Sequence, residues 1–321
     1  MLAGFNAFAS ETSVSYRAVI NRDFPDPGVI GVGSMFYAYA TNSGGTNVQL
    51  ARSMDLANWE SLPDALPQLP RWARAGHTWA PEVSQLPGRH DYHLYFVARD
   101  RASGRQCIGV ASAAGPTGPF HSPAQEPLIA QIDAGGAIDP AVFIEDDGAA
   151  YLLWKNDGNA VGLKTWLHIQ KLSADGFSLL GSPTPLICAN LPWEGELIEA
   201  PTLVKHDGKY HLFYSANAYG CERYAIGYAV SDSLFGPYRK MTTPLLKSDG
   251  LHCGPGGQTL IRCAGRQTWL LYHSWDATRR FRAMHLARID WREGRDEVPV
   301  VVPALRDELP HPERHTRRVG S

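Results

Sequence analysis

Three acidic residues stand at comparable positions relative to prolines in this chain. Asp26 and Asp139 each directly precede a proline, and Glu199 stands two residues before Pro201. Because proline cannot donate a ladder hydrogen bond but is tolerated at the first residue of a strand, each acid is predicted near the start of a strand. Carboxylates crowded into one partly desolvated pocket cannot all ionise, which separates their pKa values and supplies an acid and a base. Hydrolysis of a glycosidic bond requires such a pair.

A sequence repeat predicts the elements that would bring these acids together. In five places an apolar, strand-like segment is followed by a polar turn and by two aromatic residues three positions apart. The pairs are Phe36/Tyr39, Tyr92/Tyr95, Tyr151/Trp154, Tyr210/Phe213 and Trp269/Tyr272. Their first members are separated by 56, 59, 59 and 59 residues. A fixed period with a hairpin in each copy is typical of a propeller or a solenoid.

The repeat predicts an all-β fold, a five-bladed β-propeller with four-stranded antiparallel blades around a central channel. A further strand-like segment follows each hairpin, and closing the units into a ring protects the sheet edges. An ordinary β-sandwich is the alternative. Each hairpin is preceded by a proline, and the five strand entrances read Asp26-Pro27, Ala80-Pro81, Asp139-Pro140, Ala200-Pro201 and Gly254-Pro255. Because the first strand of a blade lines the channel, residues at these entrances are expected to meet at one mouth of it.

The repeat accounts for almost all of the 321 residues. We therefore predict a single propeller domain over residues 1–302. Residues 303–321 are rich in proline and charged side chains, which is typical of a strap or a disordered tail.

Composition limits the classes of binding partner and the cellular location that we expect for this protein. The chain has 30 Lys+Arg and 32 Asp+Glu, scattered along its length, and a formal net charge of -2, which gives no electrostatic footprint for nucleic acid. No apolar stretch is long enough to span a membrane, so no membrane partner is expected. The N-terminus does not resemble a secretory signal. The 5 cysteines form no C-x-x-C pair, which favours reduced thiols and a cytoplasmic protein. A secreted mature form is the alternative, and a monomer is expected.

Four segments together resemble glycoside hydrolase family 43. They read DFPDPGVI at 23–30, WAPEV at 79–83, AIDPAVF at 137–143 and WEGELIEAPTL at 193–203. The resemblance implies a five-bladed propeller enzyme that hydrolyses arabinose- or xylose-containing polysaccharides. It also implies that hydrolysis inverts the anomeric configuration of the sugar whose glycosidic bond is cleaved. By the same resemblance Asp26 corresponds to the general base, Glu199 to the general acid, and Asp139 to a third acid that orients and tunes Glu199.

Three other acids compete for roles in this scheme. Glu194 and Glu196 lie close to Glu199, but only Glu199 holds the strand-entrance position. Glu82 follows its proline rather than preceding it, which favours a structural hydrogen-bonding role.

The fifth entrance departs from the family pattern. Many members of the family carry GPGHN there, with the histidine helping to hold a calcium ion or a water cluster on the propeller axis. This chain reads GPGGQ at 254–258, so Gly257 replaces the histidine. We therefore expect no catalytic metal and no cofactor. An ion on the axis without a catalytic role is the alternative. His252 and His273 lie nearby in sequence, and a structural role is the plainer interpretation of both. No His/Cys spacing resembles a zinc site.

Five residues are candidates for binding the sugar. Trp79 and Phe24 could stack on a sugar ring, and each could instead belong to the blade core. Arg282 fits the position from which the family often places an arginine on a substrate hydroxyl or near an acid, with a solvated basic loop as the alternative. His77 and Asn217 are further candidates of the polar type.

The resemblance favours an exo-acting α-L-arabinofuranosidase that releases arabinose from arabinan or arabino-oligosaccharides. A β-xylosidase of the family usually carries a C-terminal β-sandwich, and about thirty residues follow Trp291 here. An endo-arabinanase usually carries the GPGH histidine. Both stay as alternatives, because loop-built subsites decide the sugar. A non-catalytic sugar-binding propeller would be expected to lack one of the acids. A retaining, fructan-cleaving enzyme would show a WMNDP-like start, and a WD-type propeller would show a shorter period.

Overall fold

The computed structural model describes residues 18–263, 267–291, 298–305 and 308–310. Within these residues the chain forms five antiparallel sheets, each a blade. The helices of the described residues are three short 3-10 turns, at Ile132–Ala134, Gly158–Val161 and Pro192–Glu194.

Blades 1 and 2 follow a first short strand, β1 (Ala18–Ile20). The strands of blade 1 are β2 (Gly28–Val32), β3 (Met35–Ala40), β4 (Gln49–Ser53) and β5 (Trp59–Leu62). The strands of blade 2 are β6 (Ala73–Ser84), β7 (Tyr92–Asp100) and β8 (Gln106–Ala113). Isolated bridges from Ile108 to Ile129 and from Ser112 to His121 mark the fourth, outermost position of blade 2.

Blades 3 and 4 each have four strands. The strands of blade 3 are β9 (Ala137–Ile144), β10 (Ala150–Asn156), β11 (Trp166–Leu172) and β12 (Leu179–Cys188). The strands of blade 4 are β13 (Ile198–His206), β14 (Lys209–Ala216), β15 (Ala225–Ser231) and β16 (Arg239–Lys240). Asp207 and Gly208 join β13 to β14 with φ angles of 45° and 76°, the two positive values that a type I′ hairpin turn requires.

Blade 5 combines an early strand of the sequence with strands from its later part. Its strands from the later part of the sequence are β17 (Gly256–Arg262), β18 (Thr268–Trp275), β19 (Arg282–Asp290) and β20 (Val300–Pro303). Strand β1 pairs with the first part of β19, and β20 pairs with its last part. The ring is therefore fastened by the pairing of an early strand with a late one.

The innermost strands form a ring around the axis. Strands β2, β6, β9, β13 and β17 contact one another in that order, and β17 contacts β2. The core lies between neighbouring blades, in five clusters of buried apolar side chains. The second member of every aromatic pair lies on the second strand of its blade and is at most 2% exposed: Tyr39, Tyr95, Trp154, Phe213 and Tyr272. The prediction of an all-β, five-bladed propeller is confirmed.

The domain boundary predicted at residue 303 stays a prediction. Val300–Pro303 forms β20, and Ala304 and Leu309 are buried against the core between blades 5 and 1. Residues 311–321, which hold most of the predicted tail, lie outside the described residues. Among the residues that are described, no helix has the length and apolar character needed to cross a membrane.

Candidate active site

The five strand entrances share an unusual backbone conformation. The residue at this position has a positive φ in every blade: Asp26 (54°), Ala80 (40°), Asp139 (57°), Ala200 (51°) and Gly257 (56°). Four of these residues are not glycine, and the left-handed conformation costs a non-glycine residue roughly 1–2 kcal/mol. Strain of this kind is found where a strand bulges and turns a side chain towards a functional site. Here it aims the entrance residues at the same mouth of the channel.

The prediction for the fifth entrance is wrong by three residues. The sequence placed it at Gly254-Pro255, whereas the equivalent position is Gly257-Gln258. The reason is that Pro255 precedes β17, which begins at Gly256 and carries its bulge at the following residue. Gln258 occupies the place of the four prolines and donates from Nε2 to the carbonyl oxygen of Ala200, at 2.6 Å.

The structure brings the three predicted acids together. Asp26, Asp139 and Glu199 line one cavity of about 360 Å³ at the mouth of the channel. They come from blades 1, 3 and 4, so the assembled ring is required to form the site.

Asp26 is held as a carboxylate by three side chains. Its Oδ1 lies 3.3 Å from Arg282 Nη1 and 3.2 Å from His273 Nδ1, and its Oδ2 accepts a hydrogen bond from the Thr41 hydroxyl at 2.7 Å. Burial alone would raise the pKa of Asp26, but Arg282, His273 and Thr41 together bring it well below its usual range. An ionised carboxylate that faces the cavity can accept a proton from water.

Glu199 is held between a buried lysine and a buried tyrosine. Its Oε2 lies 3.3 Å from Lys155 Nζ, and its Oε1 accepts a hydrogen bond from the Tyr224 hydroxyl at 2.8 Å. Lys155 is fully buried, and its ammonium also lies 3.3 Å from Asp157 Oδ1. Burial alone would lower the pKa of Lys155, but the carboxylates of Glu199, Asp157 and Asp139 raise it, so the side chain stays charged. Both oxygens of Glu199 are thereby fixed in direction.

Asp139 has the opposite electrostatic character to Asp26. Burial and the neighbouring Glu199 raise the pKa of Asp139 to about 8, against the lowering effect of Lys155. Asp139 therefore keeps its proton to a higher pH than Asp26 does. Its Oδ2 also accepts a hydrogen bond from the backbone N–H of Ala200, at 2.8 Å, which anchors the chain directly after Glu199. The crowded acids thus have separated pKa values.

Two of the predicted sugar-binding residues line the cavity that contains Asp26, Asp139 and Glu199, which we call the catalytic cavity. They are Trp79 and Arg282. The guanidinium of Arg282 also lies 4.7 Å from the centre of the Tyr219 ring. Tyr219 lines the same cavity and is 53% exposed, so it offers an aromatic surface that the sequence analysis did not single out.

The other three predicted sugar-binding residues lie elsewhere. The prediction for Phe24 is wrong, because its ring is fully buried in the core between blades 5 and 1. His77 packs edge-on against Trp79 at 6.4 Å and is not among the residues that line the cavity. Asn217 lines a second, adjoining cavity, and its amide already donates to two backbone carbonyls, those of Trp193 and Arg223.

The competing acids are separated from the catalytic cavity. Glu194 is fully buried and bound by Lys240, at 2.7 Å, and by the Tyr214 hydroxyl, at 2.6 Å, so its role is structural. Glu196 lines the adjoining cavity. Glu82 lines a channel of about 120 Å³ along the axis, where burial raises its pKa to about 7, and accepts from the Val142 N–H at 3.3 Å.

Sequence analysis missed Lys155 and assigned His273 no contact with the acids. A signal for both exists, since each directly follows the second aromatic residue of its blade's pair, Trp154 or Tyr272. A polar residue at that point interrupts an otherwise apolar second strand, next to the channel end of the blade. Tyr224 and Thr41 carry no comparable signal.

The described residues do not fit the axial ion that the resemblance suggests. They contain no group of three or more His, Cys, Asp or Glu side chains placed to hold a metal. A Cβ atom at Gly257 would lie 2.5 Å from His273 Nδ1 and 2.8 Å from Asp26 Oδ1, so His273 and Asp26 fill the space that a side chain at 257 would need.

Comparison with known proteins agrees with this architecture. The family model described as glycosyl hydrolases family 43 matches residues 16–295, most of the chain. The chain belongs to glycosyl hydrolase family 43. The crystal structure of a thermostable family-43 glycoside hydrolase superimposes with a TM-score of 0.78 at 28% identity, covering 90% of this chain and 96% of that one. The protein is therefore a glycoside hydrolase of this family, which acts on carbohydrate.

Two curated relatives are named for different activities. An arabinoxylan arabinofuranohydrolase from Paenibacillus polymyxa is 31% identical over 219 residues, which cover 60% of this chain and 32% of the relative. The β-D-galactofuranosidase xynD from Aspergillus niger is 28% identical over 264 residues, which cover 77% of this chain and 72% of the relative. The match thus spans about a third of the Paenibacillus protein. At these identities the family is established and the sugar is not.

Proposed function

We propose that this family 43 member is an inverting, exo-acting α-L-arabinofuranosidase that releases arabinose from arabinan or arabino-oligosaccharides. The observation that carries the proposal is the pairing of an ionised Asp26 and a doubly held Glu199 in one cavity. The volume of that cavity, about 360 Å³, suits the terminal sugar of a chain. Both relatives described above are named for furanose sugars, which supports a furanoside substrate.

The mechanism follows from the proposed roles of the two acids. Asp26 takes a proton from a water molecule as the water oxygen attacks the anomeric carbon from the face opposite the leaving group. Glu199, in the protonated form that this role requires, gives its proton to the glycosidic oxygen as the carbon–oxygen bond breaks, so the leaving sugar departs as an alcohol. Attack from the opposite face inverts the anomeric configuration. Arg282, His273 and Thr41 keep Asp26 ionised and oriented, and Asp139 holds the backbone beside Glu199.

A screen of substrates tests the sugar. The 4-nitrophenyl glycosides of α-L-arabinofuranose, β-D-xylose and β-D-galactofuranose would be compared with linear and branched arabinan. Release of nitrophenol from the arabinofuranoside and of arabinose from arabinan is the expected result. Cleavage of the xyloside alone would identify the β-xylosidase alternative, and oligosaccharide products from arabinan would identify the endo-arabinanase alternative. Absence of turnover on every substrate would favour a sugar-binding propeller.

The stereochemistry is tested independently by proton NMR of the earliest products. The inverted anomer should appear first and then mutarotate. Initial appearance of the retained anomer would contradict the assignment of Asp26 as a base.

A further inference from the structure

A second cavity adjoins the catalytic one on the side of Glu199. Its volume is about 690 Å³, nearly twice that of the catalytic cavity. Three residues line both spaces, Asn159, Leu197 and Ala218, so the two are continuous. Leu197 stands two residues before Glu199, whereas neither Asp26 nor Arg282 lines the second cavity. The second cavity therefore opens beside the proposed proton donor and away from the proposed base.

Position relative to the acid decides which part of a substrate would enter this space. In an inverting hydrolysis the acid faces the leaving oxygen and the base faces the water on the opposite side of the ring. The sugar that departs thus lies on the acid's side. Because the second cavity continues from that side, a leaving group longer than one sugar would extend into it.

Four polar side chains in the second cavity are free to bind a ligand. Lys164, Arg223, Glu196 and Asn159 are exposed, and none of them makes a side-chain hydrogen bond or an ion pair to another described residue. Lys164 lies over the Trp166 ring, at 5.7 Å. The acids of the catalytic cavity are, by contrast, held by neighbouring side chains. Polar side chains that no neighbouring residue holds, around a cavity next to the reaction centre, can bind the polar groups of a ligand.

The chemistry of these side chains indicates a neutral, hydroxyl-rich ligand. Lys and Arg only donate hydrogen bonds, Glu only accepts them, and Asn does both, which matches sugar hydroxyls that donate and accept. An anionic ligand would meet the carboxylate of Glu196 in the same cavity. The described lining contains no aromatic ring, so recognition would depend on hydroxyl groups rather than on stacking.

The floor of the second cavity is fixed in place by Asn217. Its side-chain amide donates to the carbonyl oxygens of Trp193, at 2.8 Å, and Arg223, at 3.0 Å. Its backbone N–H donates to the carbonyl oxygen of Leu197, at 3.0 Å. The loops that carry Glu196 and Arg223 are thereby tied to each other and to the strand of Glu199.

We infer that this second cavity is a leaving-group subsite, in which Lys164 and Arg223, with Glu196 and Asn159, bind the neutral sugar chain that departs on cleavage. The inference rests on the proposed exo-acting hydrolysis and adds the recognised substrate class, an oligosaccharide of three or more sugars. Without this subsite an aryl glycoside and an oligosaccharide would be bound with similar strength beyond the scissile bond.

The test compares two substrates in matched variants. Kinetic constants would be measured for α-1,5-linked arabinotriose and for the aryl glycoside that the parent protein cleaves best, in Lys164→Ala, Arg223→Ala and the double variant. We expect the ratio of kcat/KM for the trisaccharide to that for the aryl glycoside to fall roughly fivefold or more per side chain, as for the loss of one hydrogen bond, mainly through KM. Lys171→Ala and Arg239→Ala, exposed cations outside both cavities, are the controls and should leave the ratio unchanged.

An unchanged ratio of kcat/KM in the double variant would overturn the subsite. This holds whether neither value of kcat/KM changes or both fall equally, the second of which would indicate damage to the catalytic cavity.

Failure of the proposed function would be distinguished from failure of the subsite. If the parent protein prefers another sugar, the ratio is measured with the aryl glycoside and trisaccharide of that sugar. If it cleaves none, calorimetric binding of arabinotriose replaces kinetics. Binding that weakens in the double variant supports the subsite, and binding that is absent or unaltered overturns it.

Discussion

His273 holds its Nδ1 atom 3.1 Å from the backbone nitrogen of Asp26 and 3.2 Å from Asp26 Oδ1, across 247 residues of sequence. Burial and the charge of Arg282 lower the pKa of His273, so the ring is neutral at pH 7. In one tautomer Nδ1 accepts a hydrogen bond from the Asp26 N–H, and in the other it donates to Asp26 Oδ1, so the ring contacts the proposed base in either form. The contact fixes the backbone of the proposed base at the strained entrance of blade 1.

Glycine at position 257 is expected to be essential to this arrangement. In Gly257→Ala the new Cβ would meet His273 Nδ1 at 2.5 Å and Asp26 Oδ1 at 2.8 Å, which displaces the proposed base. Activity on every substrate should fall at least roughly tenfold, because misplacement of a catalytic group by about 1 Å has large effects on rate. Gly33→Ala is the matched control, since Gly33 has a similar φ of +60° and a Cβ added there would meet nothing within 4 Å.

Both glycine variants should lose stability to a similar extent, about 1 kcal/mol, from the positive φ alone. Thermal unfolding measures this loss, and steady-state kinetics measures the activity. Full activity in Gly257→Ala would contradict the proposed contact between base and histidine.

The two proposed catalytic acids should respond differently to the leaving group. Asp26→Ala removes the base and should lower kcat by roughly 10²–10⁴ on all substrates. Glu199→Ala should lower turnover by a similar factor on oligosaccharides but much less on a dinitrophenyl glycoside, whose leaving group needs no proton. Glu126→Ala, an exposed acid outside both cavities, serves as the control. Equal losses on both substrates in Glu199→Ala would show that another residue is the acid.

Lys155 is expected to set the alkaline limb of the pH profile. Its charge lowers the pKa of Asp139, which burial and Glu199 raise to about 8. In Lys155→Met the pKa of Asp139 should rise further, so the fall of kcat/KM that we expect for the parent near pH 8 should move to higher pH. Lys155→Arg keeps the charge and should keep the limb in place, even if the rate falls.

Circular dichroism checks that both Lys155 variants are folded. A limb that stays near pH 8 in folded Lys155→Met would rule out this electrostatic role.

Two partly buried acids, Asp139 and Glu82, should make the folded state less stable as pH rises. The folded pKa of Asp139 is about 8 and that of Glu82 about 7, both above the unfolded values near 4. Between these limits the folded state binds more protons than the unfolded state, so the free energy of unfolding falls with increasing pH. Asp139→Asn and Glu82→Gln cannot ionise, so their gain in Tm over the parent should grow from pH 4 and level off near pH 8 and pH 7, respectively.

Activity distinguishes these two substitutions. Asp139→Asn should lose most activity, because the substitution removes the acid that is proposed to orient and tune Glu199. Glu82→Gln should keep it, because Glu82 lies in the axial channel rather than in the catalytic cavity. A gain in Tm that does not change with pH would contradict the pKa assignments.

The number of blades and the identity of the three acids in the cavity could be predicted from the amino-acid order alone. The aromatic pairs recur at a nearly constant period because each blade buries the same second-strand position against its neighbour, so one hairpin pattern is repeated along the chain. Asp26, Asp139 and Glu199 could be found because prolines mark where these strands begin. Local patterns of this kind survive in a sequence without knowledge of the fold.

The surroundings of those acids depend on the folded ring. His273, Lys155 and Tyr224 come from strands or loops that the ring brings against the entrances, and no local pattern specifies such a pairing. The bulge of blade 5 moved its entrance to Gly257. Phe24 lies in the core between blades 5 and 1, and its backbone N–H donates to the carbonyl oxygen of Arg282 in blade 5, a contact that exists only in the folded ring. The proposed leaving-group subsite is likewise built by loops of blades 3 and 4 that meet only after the ring has closed.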